Sequence, residues 1–300
     1  MVEEHIAVLL DLPQTPPSVE DSEALCRRLA LSHYENFTVV SYLIPRRMRQ
    51  PLYNLYAFCR TVDDIGDEAP GDRNALLDRF EEELAAVYEG VPCHPVLVAL
   101  KDTVERFGMP RDLFERLITA NRLDQEKKRY QAFAELLHYC DYSATPVGRL
   151  FLILFGYHDD ELFALSDKTC IALQLTNFWQ DVKRDYDNGR IYLPLDEMEE
   201  YGVSEDDLAR GRATGQFKDL MRYQVKRTRD YFRNGLPLID RVRGSLRVDI
   251  ALFSRGGLAI LDEIEQLHYD TLKERPTLSK SKKVRLFLST LLSRRWRKWI

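Results

Sequence analysis

The stretch YAFCRTVDDIGDE, residues 56–68, sets four acids and one arginine into the nine residues from Arg60 to Glu68, beside a run of aromatics. In an α-helix, residues four apart share a face. Asp63 and Asp67 therefore fall on one side, with Asp64 three before Asp67. A second stretch, NFWQDVKRDYDNGR (residues 177–190), carries Asn177, Asp181 and Asp185 at successive four-residue steps. Leu173, Leu175, Phe178, Trp179 and Val182 around them are apolar, so the spacing predicts one largely buried helix with a polar column. Like charges at this spacing cost an isolated helix about 0.2–0.5 kcal/mol per pair, and a buried carboxylate without a partner costs more or neutralises. One acid run on a helix is usually solvated surface. Two, each beside aromatics and interleaved with Arg or Lys, call for cations. An all-oxygen set of carboxylates and an amide suits a hard ion such as Mg²⁺ shared with substrate phosphates. Zinc is excluded by the lack of Cys or His at matching spacing.

The remaining 300-residue chain gives these stretches a helical setting. After a Pro-rich start, expected to be irregular over residues 1–20, the apolar residues recur with helical period and few segments alternate as a half-buried strand would. Helices are expected at 22–31, from Leu52 into the first acid cluster, and at 73–90, 95–107, 110–122, 131–141, 146–156 and 159–186. IPRRMRQP (44–51) reads as a turn, and Asp187-Asn188-Gly189 as a helix stop. The segment 190–211 reads as a loop with short helical pieces, and long helices resume at 215–243, 246–268 and 280–299. There is no Gly-rich phosphate loop, βα alternation or repeat. The expected fold is all-α, a single domain over residues 1–300.

Charged residues are 30% and hydrophobic ones 45% of the chain, and the formal net charge is −5. That balance suits a soluble globular protein and excludes a general nucleic-acid binder, which needs a basic surface. Five scattered cysteines without a CxxC pair read as reduced thiols of a cytoplasmic protein. No window reaches the roughly 18 apolar residues of a membrane span. The end of the chain departs from the acidic average: KSKKVRLFLSTLLSRRWRKWI, 280–300, holds eight Lys or Arg and no acid. Val284, Phe287, Leu288, Leu291, Leu292 and Trp299 fall largely on one helical face, with Trp296 near its edge. Either the helix packs on the core with a solvated basic side, or it lies on an anionic membrane surface.

YAFCRTVDDIGDE and QLTNFWQDVKRDYDNGRIYLP, within a likeness running from about His33 to Gly257, resemble the squalene/phytoene synthase family of prenyl transferases. The resemblance implies an isoprenoid synthase-type all-α fold, with two Asp-rich helices facing a central pocket that binds Mg²⁺ and a prenyl diphosphate. It implies Asp63, Asp67, Asn177, Asp181 and Asp185 as metal ligands. Tyr56, Arg60 and Tyr142 are implied as catalytic, and His33, Gln174, Asn177 and Arg190 as substrate-binding. The sequence also departs from the family. Many relatives have His-Ser-x-Ser-Phe where this chain has His33-Tyr34-Glu35-Asn36-Phe37, Arg where it has Gln180, and AGxVG where it has Ala144 to Gly148. Losing two hydroxyls and a guanidinium weakens the grip on a second diphosphate. HYENFTVVSYLIPRRMR, ANRLDQEKKRY, SATPVGRL and NFWQDV resemble the branch that turns presqualene diphosphate into hydroxysqualene for hopanoids, with water ending a cation steadied by aromatics such as Phe37, Phe58, Phe178 and Trp179. That likeness also implies association with enzymes of the same pathway. The alternatives are a squalene, presqualene diphosphate or phytoene synthase, and a non-catalytic assembly factor on the same fold, whose usual loss of acidic ligands is not seen here.

Overall fold

The computed structural model describes residues 4–32 and 44–292, and among them every regular element is helical. The chain divides into two compact units: Met1–Glu126 with Arg149–His158, and Lys127–Gly148 with Asp159–Ile300. No described helix is long and apolar enough to cross a membrane. The five cysteines, all among the described residues, form no disulfide, and Cys26 and Cys140 are buried.

The first unit contains α1 (Glu4–Leu10), α2 (Val19–Ser32), α3 (Arg46–Asp67), α4 (Arg73–Glu89), α5 (Pro95–Phe107) and α6 (Arg111–Glu126). The helical period of the apolar residues becomes a buried stripe on α3: Leu52, Leu55, Phe58, Val62 and Ile65. Against it pack α2, α5 and α6. Phe58 lies 5.5 Å from Phe80 and edge-on to Phe114 at 4.9 Å, centroid to centroid. It is a core residue, not a wall for a cation.

Two segments of this unit differ from the sequence reading. IPRRMRQP is not a turn: Pro45 precedes the first residue of α3 and Pro51 lies inside the helix. A proline there lacks one ladder N–H, and burial of Pro51, Leu52, Tyr53 and Leu55 outweighs that loss. The Pro-rich start also holds α1, whose His5, Ile6 and Leu9 are buried. Seven residues are too few to hold a helix alone, so packing of α1 on α3 and α4 makes it.

The second unit begins with α7 (Phe133–Ser143), and α8 (Thr145–Leu154) leads from it back into the first. Then follow α9 (Asp160–Gln180), α10 (Val182–Asp187), α11 (Leu195–Glu200), α12 (Glu205–Ala209), α13 (Gly215–Gly235), α14 (Pro237–Arg241), α15 (Gly244–Gln266) and α16 (Lys280–Leu292). The Asp159 carboxylate caps α9 by accepting from the N–H groups of Glu161 and Leu162. This helix packs along α13, where the Trp179 indole N–H donates to Thr228 Oγ1 at 2.8 Å. Trp179 is fully buried, so it too is core.

The helix expected over 159–186 is interrupted at Asp181, whose φ of −107 and ψ of 15 separate α9 from α10. The four-residue rhythm survives: Asp181 N–H donates to Asn177 O and Asp185 N–H to Asp181 O. The expected stop at 187–189 is present, with Gly189 at a φ of 79. Pro237 divides the helix expected over 215–243. The part expected beyond Leu292 lies outside the described residues.

Candidate active site

In the first unit, Tyr56, Arg60, Asp63 and Asp67 follow one another along α3. Their carboxylates are not equivalent. Asp64 points inward, 1% exposed, and meets His5 Nε2 at 2.8 Å and Arg60 Nε at 2.9 Å. It is a compensated charge that aims the Arg60 guanidinium. Burial pulls the Arg60 pKa down, and the Asp64 charge and hydrogen bond more than reverse it. Burial also pushes the Tyr56 hydroxyl above its usual range.

Asp63 and Asp67 are exposed. Asp63 nonetheless has protein crowded around it, which pushes its carboxyl up to about 7; Asn121 opposes this, and Asp67 and Asp64 add to it. Accessible area and crowding thus point opposite ways for Asp63. The upward direction stands, because two like charges sit within one helical turn. The Asn121 side-chain amide donates to Asp63 Oδ1 at 3.3 Å. It can approach only because position 66 is glycine: a Cβ there would lie 2.2 Å from Asn121 Oδ1. Arg73 closes the acidic end of α3, its guanidinium donating to the carbonyls of Ala69, Gly66 and Asp67.

In the second unit, Gln174, Asn177 and Asp181 lie on α9 and its C-terminal cap, and Asp185 on α10. Asn177 is exposed, while Gln174, Asp185 and Arg190 are half-buried. Asp181 receives both Nε and Nη2 of Arg275, at 2.5 and 3.0 Å. Gln180 points elsewhere: it is 8% exposed, and its amide donates to the Pro276 carbonyl at 2.6 Å. These two contacts bind the segment around 275 to the break between α9 and α10. Asp181 and Arg275 form part of the wall of an open cleft of about 450 Å³, with Lys183, Arg184 and Lys273.

Arg190 is set by its backbone. Its N–H donates to Asp185 O, and the next residue, Ile191, donates to Lys128 O. Arg129 ties this return together, donating to Gly189 O at 2.6 Å and gripping Glu205 with two nitrogens. Tyr142, half-buried on α7, packs edge-on with His138 at 5.0 Å. Gly148, in the ATPVG segment, lets α8 start against α9; a Cβ there would meet Cys170 Sγ at 2.4 Å and Ser166 Oγ at 2.5 Å.

The structure thus gathers Tyr56, Arg60, Asp63 and Asp67 on one helix of the first unit. Gln174, Asn177, Asp181, Asp185 and Arg190 follow within one stretch of the second. His33 lies outside the described residues, as do Tyr34, Asn36 and Phe37. Sequence reasoning missed His5, Asn121, Arg73 and Arg275. Asn121 and Arg275 stand in polar stretches with no spacing that ties them to an acid far along the chain.

Among the described residues no three His, Cys, Asp or Glu side chains converge as a complete metal cage. Mg²⁺ commonly takes one or two carboxylates and completes its shell with water and substrate phosphate. Asp63 fits that chemistry: burial, with Asp67 and Asp64, raises its pKa against the opposing pull of Asn121 and Arg60, so a bound cation would supply charge its surroundings do not. Asp181 fits once Arg275 shares or releases it.

A helical fold of the isoprenoid synthase type with an Asp-rich stretch in each unit defines a class of prenyl diphosphate enzymes. The family model described as squalene/phytoene synthase matches residues 31–282, and the chain belongs to that family. Phytoene synthase of Arthrospira platensis is 32% identical over 290 residues, 90% of this chain and 93% of that one. 15-cis-phytoene synthase of a Synechocystis species is 30% identical, covering 93% and 88%. Among solved structures, squalene synthase HpnC of Alicyclobacillus acidocaldarius superposes with a TM-score of 0.81 at 42% identity, covering 89% of this chain and 99% of that one. A dehydrosqualene synthase in complex with a ligand gives a TM-score of 0.84 at 27% identity, covering 91% and 96%.

Proposed function

We propose that this enzyme converts presqualene diphosphate to hydroxysqualene, using Mg²⁺, on the route to squalene and hopanoids. The observation that carries the reading is Gln180: where many relatives have arginine, its amide is committed to the Pro276 carbonyl. A site without that guanidinium suits a substrate with one diphosphate. The 42% identity to a squalene synthase supports the same branch.

Asp63, Asp67, Asn177, Asp181 and Asp185 would hold the metal, which supplies positive charge to the departing diphosphate when bound. Arg60, aimed by Asp64, and Arg190 receive diphosphate oxygens. Gln174 and His33 are assigned to substrate binding, and Tyr56 and Tyr142 to the reacting centre. The C–O bond breaks with its electron pair leaving on diphosphate. The cyclopropylcarbinyl cation rearranges, and a water oxygen then supplies the pair for the new C–O bond and releases its proton. Residues 1–300 act as one functional domain in this reading. The product is a water-insoluble alcohol, so the reading includes a peripheral contact with an anionic membrane surface, on the cytoplasmic side, near enzymes of the same pathway.

A second reading has its own support: the curated relatives at 30–32% identity are phytoene synthases. In it the enzyme condenses two prenyl diphosphates. Purified protein with Mg²⁺ is incubated with presqualene, farnesyl or geranylgeranyl diphosphate, and products are identified by mass spectrometry. Hydroxysqualene from the first alone is the expected result. Presqualene diphosphate formed from farnesyl diphosphate, or phytoene from geranylgeranyl diphosphate, overturns it.

A further inference from the structure

Helix α16 leaves large apolar residues exposed on its outer side. Its inner side mixes half-buried Leu286 and Phe287, the latter turned away from the apolar face expected for it, with polar anchors: Arg255 of α15 donates to Thr290 Oγ1 at 2.5 Å and to Ser289 Oγ at 2.8 Å, and Lys282 donates to Glu263 at 2.5 Å. Thr290 is fully buried. The outer side carries four further apolar residues. Val284 is 58% exposed, Leu288 51%, Leu291 43% and Leu292 83%. With Ser281 and Arg285, also exposed, they stand at spacings of three and four, which is one continuous helical face. A contiguous apolar face on a soluble protein marks an interaction surface.

Charge selects the occupant. Lys280 and Arg285 are exposed in the first turns of α16, where Lys282 is held by Glu263, and the following sequence adds Arg294, Arg295, Arg297 and Lys298 without an acid. Elsewhere the chain is net acidic, so this end is a separate cationic region. An apolar face edged by Lys and Arg is the pattern of a helix that lies in the interface of an anionic bilayer, leucines among the acyl chains and cations at the headgroups. A second copy of this chain would have to bring like charge against like charge.

We propose that the outer face of α16 is a docking surface for an anionic lipid bilayer. The inference deepens the membrane contact in the proposed function, because it names the surface that lets an insoluble product pass into lipid. It does not depend on which product is made.

The test uses the full-length protein and vesicles of phosphatidylcholine with or without phosphatidylglycerol, read by co-sedimentation. Binding to the anionic vesicles at low salt, lost at about 1 M salt and absent with phosphatidylcholine alone, is expected. Leu288→Gln with Leu291→Gln alters exposed positions only and is expected to weaken binding at least about tenfold with the melting temperature unchanged. Each of Lys280→Gln and Arg285→Gln is expected to weaken it about fivefold. Asp67→Asn, in the acid set, is expected to bind vesicles as the parent does, which separates this surface from the catalytic reading. Equal sedimentation of the leucine variant and the parent overturns the proposal. So does a concentration-dependent dimer without lipid that the leucine substitutions dissolve, since the face would then belong to a second copy.

Discussion

Arg275 places two nitrogens on the carboxylate of Asp181, 94 residues earlier in the chain. An acid expected to hold metal is therefore clasped by a cation. The pair is only partly buried, with side-chain exposures of 47% and 16%. An ion pair this open is worth about 1 kcal/mol or less. Its role is positional, so Arg275→Gln is expected to leave the melting temperature nearly unchanged. With inorganic diphosphate present, it should lower the Mg²⁺ concentration needed to protect the protein from heat, because Asp181 no longer exchanges a guanidinium for the metal. Thermal melts across a Mg²⁺ titration measure both.

Asp67→Ala and Asp181→Ala are each expected to abolish turnover while leaving the helical signal intact. Removing Asp67 also relieves repulsion with Asp63, so metal-free stability should hold or rise. Circular dichroism melts paired with single-turnover product analysis check this, and an unaltered rate in both variants would refute the metal role.

Gly66→Ala puts a Cβ 2.2 Å from Asn121 Oδ1. Overpacking of this kind costs about 1–3 kcal/mol, and it pushes away the amide that donates to Asp63. Urea denaturation should show the loss, together with reduced turnover. Asn121→Ala added to Gly66→Ala should restore stability but not activity, since the clash goes and the amide goes with it.

Asp249 on α15 is fully buried, and neither carboxylate oxygen has a hydrogen-bond partner. Burial pushes its pKa up to about 7. The folded protein thus keeps a proton that the unfolded chain releases near pH 4. Between about pH 4 and 7 the folded state binds more protons, so stability falls as pH rises, and the full penalty applies above pH 7. Asp249→Asn should be more stable than the parent at pH 8, by up to about 4 kcal/mol, and lose that advantage towards pH 4. Urea melts at several pH values read the slope.

What could be read from the sequence was local. The helical period of Leu52, Leu55 and Val62, the four-residue steps of the acids and the glycine stop at 189 are short-range patterns, and backbone geometry alone gives them meaning. They sufficed for the all-α class and for grouping Asp63 with Asp67, and Asn177 with Asp181 and Asp185; the family came from the resemblance of the two longer motifs that hold them. Only the tertiary structure decided that Asp64 is hydrogen-bonded by His5 as well as Arg60, that Asn121 reaches Asp63 across Gly66, and that Gln180 and Asp181 hold the segment at 275–276. It also decided that α1 forms, that α3 runs through Pro51 and that the second acidic helix breaks at Asp181. Each of these depends on partners distant in the chain, or on burial that outweighs a local propensity. Neither leaves a periodic trace in the sequence.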